Sequence, residues 1–307
     1  VKKDRAAAEA AVAESPTAPS ADRFTLYEHC VQRPDVLVPA LRRWHGGVGK
    51  HAPIVLHEDF CGTAAISREW TRTDDSARAV ATDWDPDAIN RAKSDRASLL
   101  GTDAQTRLKL RLTDVCLPFE DELPSADVIF VGNFSLGELH QRADLVRYLR
   151  SARARLAPRG VFVCDNYDGA SSLRTGTTQR THPLPPPFPP GTNAIYTWDQ
   201  RSIDVLTGRV ENRLHFRVRR GDEVTHDFPD AFVYRWRKRS FAELTEALEE
   251  AGFERPTLRT DLKGDQPLLF GSELPPETET IETVIGCLVT RVAPADKVTK
   301  SAIPAVP

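Results

Sequence analysis

Methionine is missing from all 307 residues, an absence improbable by chance in a chain of this length. Long apolar runs are missing too: none approaches the roughly 20 residues that a membrane helix needs, so no membrane association is expected. Val1 to Ser20 has no apolar core of the kind that marks a secretory signal. Cysteine is scarce and scattered, at Cys30, Cys61, Cys116, Cys164 and Cys287, with no CxxC pair. That pattern argues against a zinc site or a disulfide framework, and no metal is expected. A reduced, cytoplasmic setting is the corresponding expectation. Charge excess of either sign is also lacking: the formal net charge is -3. There is no global pull toward nucleic acid or membrane, although a local basic patch remains open. No GxGxxG turn is present.

What is present is a composition that folds, with 40% hydrophobic and 28% charged residues. The length suits one large domain with an insertion, or two small ones. After helical stretches around Phe24 to Tyr27 and from Pro34 to Gly46, strand-like and helix-like segments alternate. Strands are expected at Pro53 to His57, Ala77 to Thr82, Arg107 to Leu112, Ala126 to Val131 and Gly160 to Cys164. Helices are expected at Thr63 to Thr71, Asp85 to Leu99 and Glu138 to Leu156. This order predicts an α/β fold whose mostly parallel sheet carries helices on both faces.

The pattern then changes. Ala170 to Thr192 contains the run Pro183 to Gly191, which reads as stiff polyproline-like chain. Ala194 to Val205, Arg209 to Arg219 and Asp230 to Arg237 read as strands of a small antiparallel insertion. A helix at Phe241 to Ala251 and strands at Arg255 to Thr260 and Val284 to Val292 complete the main sheet. The expected organisation is a tail at 1–22, one domain at 23–293 with an insertion at 170–239, and a tail at 294–307.

The first strand runs into Glu58-Asp59-Phe60-Cys61-Gly62-Thr63-Ala64 and then a helix. Strand, tight turn and helix form the cradle in which open α/β sheets bind ligands, outside the carboxyl ends of the strands. A second acid belongs at the end of the next strand, and Asp83, followed by Trp84-Asp85-Pro86, stands there. Thr113-Asp114-Val115 follows the third strand, Gly132-Asn133-Phe134-Ser135 the fourth, and Leu156 to Phe162 leads into the fifth. In this order the motifs resemble those of class I S-adenosylmethionine-dependent methyltransferases, over roughly Ile54 to Asn166. The resemblance implies a roughly seven-stranded Rossmann-like methyltransferase sheet. S-adenosylmethionine would be the cofactor and S-adenosylhomocysteine the product. The cofactor would touch Glu58, Asp59, Phe60, Cys61, Gly62, Asp83, Trp84, Asp114, Val115, Asn133 and Phe134. Phe60 and Ala64 depart from the family's glycines, and Phe60 predicts a different local path for the turn.

Charge separates this reading from a dinucleotide enzyme. Pyrophosphate wants neutral or positive surroundings, whereas a sulfonium and an ammonium suit the Glu58-Asp59 pair. A nucleophile elbow at Gly132 to Gly137 fails because no glycine stands two residues before Ser135. A non-catalytic binding module remains open. Asp85 reads as a helix cap and Cys61 as a packing residue.

For the transfer step the candidates are Asn133, His140 and Tyr167; His140 reads equally as an ordinary helix-surface histidine. Tyr27 and Gln32 are candidate lid residues. Tyr196 and Arg235 are candidate substrate contacts, with the small sheet's own core and a solvated strand face as the plainer readings. Arg235 to Arg239 with Arg217, Arg219 and Arg220 forms the local basic stretch. A small-molecule acceptor is expected over RNA or protein, because the layout is capped and no nucleic-acid module is added. Oligomeric state is not readable, and a homodimer stays open.

Overall fold

A computed structural model describes residues 21–46, 52–117, 123–262 and 284–294. The expected tails at 1–20 and 295–307 lie outside them. Two helices open the described chain, α1 (Arg23–Cys30) and α2 (Pro34–Gly46). Then come β1 (Val55–Asp59), α3 (Ala65–Arg72), β2 (Arg78–Asp83), α4 (Pro86–Leu99), α5 (Thr102–Arg107) and β3 (Leu108–Leu112). β4 (Ala126–Val131), α6 (Arg142–Arg155) and β5 (Leu156–Asp168) follow, and α7 (Phe241–Glu250), β10 (Thr257–Arg259) and β11 (Val284–Arg291) close the domain.

These strands form a seven-stranded sheet in the order β10-β11-β5-β4-β1-β2-β3. β3, β2, β1, β4 and β5 are mutually parallel; β11 runs antiparallel to β5 and to β10. Period-two alternation splits the core. Val128, Phe130, Val161 and Val163 face α2, α3 and α4 with Leu41, Ile66, Trp70 and Ile89. Ile129, Val131, Phe162 and Cys164 face α6 and α7 with Leu145, Leu149, Leu244 and Leu248. A sheet covered on both faces needs such strands. β1 has β2 on one side and β4 on the other, so the chain winds outward both ways and a crevice opens at their carboxyl ends.

The second sheet is antiparallel, in the order β6-β7-β8-β9, from β6 (Gly176–Pro183), β7 (Thr192–Asp204), β8 (Arg209–Arg220) and β9 (Glu223–Arg237). Its inner face buries Ala194, Tyr196, Leu214, Phe216 and Val218 against Leu26 and Cys30 of α1. Ala21 is buried in the same cluster and Asp22 caps α1, accepting from the Phe24 and Thr25 amides at 2.8 and 3.0 Å. The tail expected to reach residue 22 therefore ends earlier.

Three expectations change. β6 is a strand where none was expected, ending where the proline run begins at Pro183. It is an edge strand, exposed along nearly its whole length, so it shows no hydrophobic alternation, and an edge position tolerates its terminal proline. β9 begins at Glu223, ahead of the expected Asp230, because pairing resumes on the far side of an irregularity at Phe228. The helix expected from Glu138 is broken into a 3-10 turn, Ser135–Glu138, and α6 from Arg142.

Candidate functional site

Two loops flank the crevice, one after β1 and one after β4. Five non-glycine residues among those described have left-handed backbone, and four of them sit here: Phe60 (φ 56°), Ala64 (58°), Asn133 (55°) and Phe134 (62°). Each such residue stores on the order of 1–2 kcal/mol, and strain of this kind gathers at functional sites. The expected detour at Phe60 does not occur. The backbone keeps a conformation that favours glycine, and the ring packs edge-on against Tyr148 at 5.8 Å, clear of the crevice.

The carboxylates hold these loops. Glu58 is buried and accepts from the amide and hydroxyl of Ser67 in the first turn of α3. Burial pushes its carboxyl up to about 7. Asp83 accepts from the Gly62 amide at 2.7 Å and the Asp85 amide at 2.9 Å, tying the β1 turn to the end of β2. Burial raises it too. Asp165, on β5, accepts from the amides of Asn133 and Phe134 at 2.8 and 2.7 Å, and burial raises it to about 6. Asp165 is the device that holds the left-handed pair. Its sequence position, just past the expected end of the fifth strand, was its one signal.

Asp59 goes elsewhere. Its carboxylate is buried on the α6 side, accepting from Tyr148 at 2.7 Å and paired with Arg155. Its burial opposes ionisation, but Arg155 wins and holds the carboxyl below its usual range. Asp59 is thus committed to the core and taken out of the cofactor set.

Cys61 is 1% exposed, and burial lifts its thiol well above the usual range; it packs, as its plainer reading required. A Cβ built on Gly62 meets nothing within 4 Å, so the turn opens onto space. Trp84 is 69% exposed beside Asp83. Leu112, Asp83's partner across the sheet, and Leu117 are exposed as well. Asp114 is exposed and closes its turn by accepting from the Cys116 amide at 2.8 Å. Val115 is buried in the α6-side core, a packing position. Asp85 caps α4 as expected.

Helix α1 straps across this edge. Glu28 accepts from the Thr63 hydroxyl and pairs with Arg68 at 2.7 Å; Asp22 pairs with Arg91 at 2.6 Å. On its other side Tyr27 meets Phe232 at 5.0 Å and neighbours Tyr234 in the small sheet's inner cluster. Burial lifts the Tyr27 hydroxyl well above its usual range, with the Tyr234 and Asp165 side chains adding to the effect. Gln32 is buried, and its amide oxygen has no hydrogen-bond partner.

The expected catalytic residues divide. Asn133 stands at the crevice. His140 lies between the 3-10 turn and α6, not on the helix; its Nε2 donates to the Arg235 carbonyl at 2.6 Å, which fastens the β4 loop to β9. Tyr167 is 6% exposed, and its hydroxyl accepts from Asn212 of β8 at 3.2 Å. It joins the two sheets, its ring against Phe134 at 4.9 Å and Trp198 at 5.9 Å and its hydroxyl taken by Asn212. Tyr196 stacks on Phe216 at 5.6 Å in the small sheet's core. Arg235 is exposed and paired with Glu211. Within the basic stretch Arg217 pairs with Asp227, Arg219 with Asp222 and Lys238 with Asp168, while Arg237 donates to the His140 carbonyl.

Other residues complete the cleft. Glu138, read from sequence as the start of a helix, accepts from Trp236 Nε1 at 2.7 Å. Tyr234 feels both Glu138 and Asp83, so the inner face of the small sheet looks onto the strand ends. Arg239 is buried and donates to the carbonyls of Leu136, Leu139 and His140, which pins the loop from behind.

Residues 59–164 match the family model described as "Methyltransferase domain". The matched segment and the sheet order together give the chain the class I, Rossmann-like methyltransferase fold. Among solved structures, this methyltransferase fold is shared with S-adenosylmethionine-bound CalS10, an amino pentose methyltransferase from Micromonospora echinaspora. The TM-score is 0.60 at 15% identity, over 87% of this chain and 94% of that one. The sugar N-methyltransferase KedS8 from Streptoalloteichus gives 0.58 at 16%, over 88% and 92%. DesVI from Streptomyces venezuelae gives 0.62 at 17%, over 89% and 99%. No curated protein matches the chain by sequence.

Proposed function

We propose that this methyltransferase domain uses S-adenosylmethionine to methylate a small molecule held between the parallel sheet's carboxyl edge and the inserted sheet. The observation that carries the reading is the crevice itself: strained loops at a topological switch point, closed by the buried carboxylates Glu58 and Asp83 and the half-buried Asp165. Carboxylates suit a ligand with a sulfonium and an ammonium and repel a pyrophosphate.

The residues fit the cofactor. The open space over Gly62 leaves room for it. Asp83 retains lone pairs for ribose hydroxyls, exposed Trp84 and Leu112 offer an apolar surface for adenine, and Asp114 stands where an exocyclic amine would need an acceptor. The orphaned Gln32 oxygen suits a donor from beneath the α1 strap. Bound there, the cofactor supplies a methyl on a sulfonium; the protein's part is to align the acceptor and exclude water. Residues 170–239 serve as the acceptor's cap, and Tyr27 as part of the lid.

Calorimetric titration with S-adenosylmethionine, S-adenosylhomocysteine and NAD tests the reading. Binding of the two sulfur ligands, refusal of NAD, and loss of both in Asp83→Ala are expected. Well-folded protein that ignores both sulfur ligands would overturn it.

A further inference from the structure

The acceptor side of the cleft is lined by aromatic rings and one carboxylate. Tyr234 stacks on Trp236 at 4.5 Å, and Trp198 lies 6.0 Å from Trp236. Phe134 stands edge-on to both tryptophans at 6.2 Å. Trp198, Tyr234 and Phe134 are only partly buried, so ring surface remains on the cleft side. Glu138 is fixed among them by Trp236 Nε1 and forms no ion pair with any described residue. One hydrogen bond leaves most of a carboxylate's acceptor capacity unused. Glu138 is exposed, so its remaining acceptor capacity is open to a ligand; partial desolvation raises its carboxyl above its usual range, opposed by the Trp236 hydrogen bond and by His140.

We propose that the acceptor is an amine, bound as its ammonium between the Glu138 carboxylate and the faces of Trp198 and Tyr234, and that Glu138 is the base. This rests on the methyltransferase reading above. A positive ligand satisfies both features at once, the carboxylate by charge and the rings by their negative faces. The step balances. Glu138 takes a proton from the ammonium, freeing the nitrogen lone pair. That pair forms the bond to the methyl carbon while the carbon–sulfur bond breaks and leaves its electrons on sulfur. The product is an N-methylammonium with neutral S-adenosylhomocysteine, and Glu138 passes its proton to solvent. A carboxylate is far too weak a base to ionise an alcohol ahead of attack, but it suffices to relay an ammonium proton.

The test compares benzylamine with its neutral isostere benzyl alcohol, by calorimetry, with and without saturating S-adenosylhomocysteine. In the parent, benzylamine should bind about tenfold or more tightly than the alcohol, the scale of one charged hydrogen bond. Glu138→Gln keeps the Trp236 contact and should shrink that gap to within about threefold, with S-adenosylhomocysteine affinity unchanged. Trp198→Ala should weaken benzylamine by about threefold or more. Equal binding of the two probes, or a gap that survives in E138Q, would overturn the proposal. So would loss of S-adenosylhomocysteine binding in E138Q, which would assign Glu138 to the cofactor's own ammonium. Failure of the parent to bind S-adenosylhomocysteine would instead sink the methyltransferase reading, while the probe comparison without it still reports on the cleft.

Discussion

The two sheets that meet at the cleft are built by opposite rules. The parallel sheet positions its groups through backbone: Asp83 and Asp165 each hold two amides, and the loops they hold are left-handed. The antiparallel sheet positions its groups through side chains, in a chain of rings from Tyr196 and Phe216 to Tyr234 and Trp236. Backbone cradles suit a cofactor whose shape is constant. A surface made of side chains can be changed by substitution without disturbing the fold, which suits an acceptor that differs from enzyme to enzyme.

The sharpest way to break the comparison is to unfasten the backbone half from behind. Arg155→Met leaves Asp59 charged, buried and unpaired, and should cost about 3–5 kcal/mol of stability; urea unfolding measures it. A loss below about 1 kcal/mol would mean that Asp59 is not the anchor it resembles.

Glu58 offers a test by pH. Its folded-state pKa, about 7, lies above the ordinary 4.5. Between those values the folded state holds a proton that the unfolded state has released, so this group's contribution falls as pH rises from about 4.5 to about 7. Relative to Glu58→Gln, which keeps an acceptor for Ser67, the parent should lose about 3 kcal/mol between pH 4 and pH 8. Parallel stability curves for the two proteins would refute the assignment.

Asp83→Ala should weaken S-adenosylhomocysteine roughly 100-fold, about 2–3 kcal/mol, and leave benzylamine unaffected when that ligand is absent. Joint loss would show that the halves are not independent. Gly137→Ala probes the other half. Its Cβ would lie 2.7 Å from Trp236, so the ring must move, at about 1–2 kcal/mol of stability. Here the amine probe should suffer and S-adenosylhomocysteine should not.

The same division explains what was readable beforehand. The cofactor half depends on short intervals: Glu58, Gly62 and Asp83 fall at strand ends that periodicity locates. Val115 and Asp59 misled because an acid or an apolar residue in the right motif can turn to either face of the sheet. Tyr167 and His140 misled for a related reason. Each sits close to the crevice in sequence, but its polar atom is claimed by the insertion, through Asn212 and the Arg235 carbonyl.

The sequence alone determined the order of the main sheet's strands, the two-sided core, the insertion and the acid-bearing turns, because these follow from hydrophobic period and from turn residues acting over a few positions. Tertiary structure alone decided that Glu138 meets Trp236 across 98 residues, that Asp165 holds Asn133 and Phe134 across about 30, and that α1 straps the turn through Glu28. Those contacts join elements whose relative positions are set by sheet topology and packing, and no local pattern records which distant partner a side chain will meet.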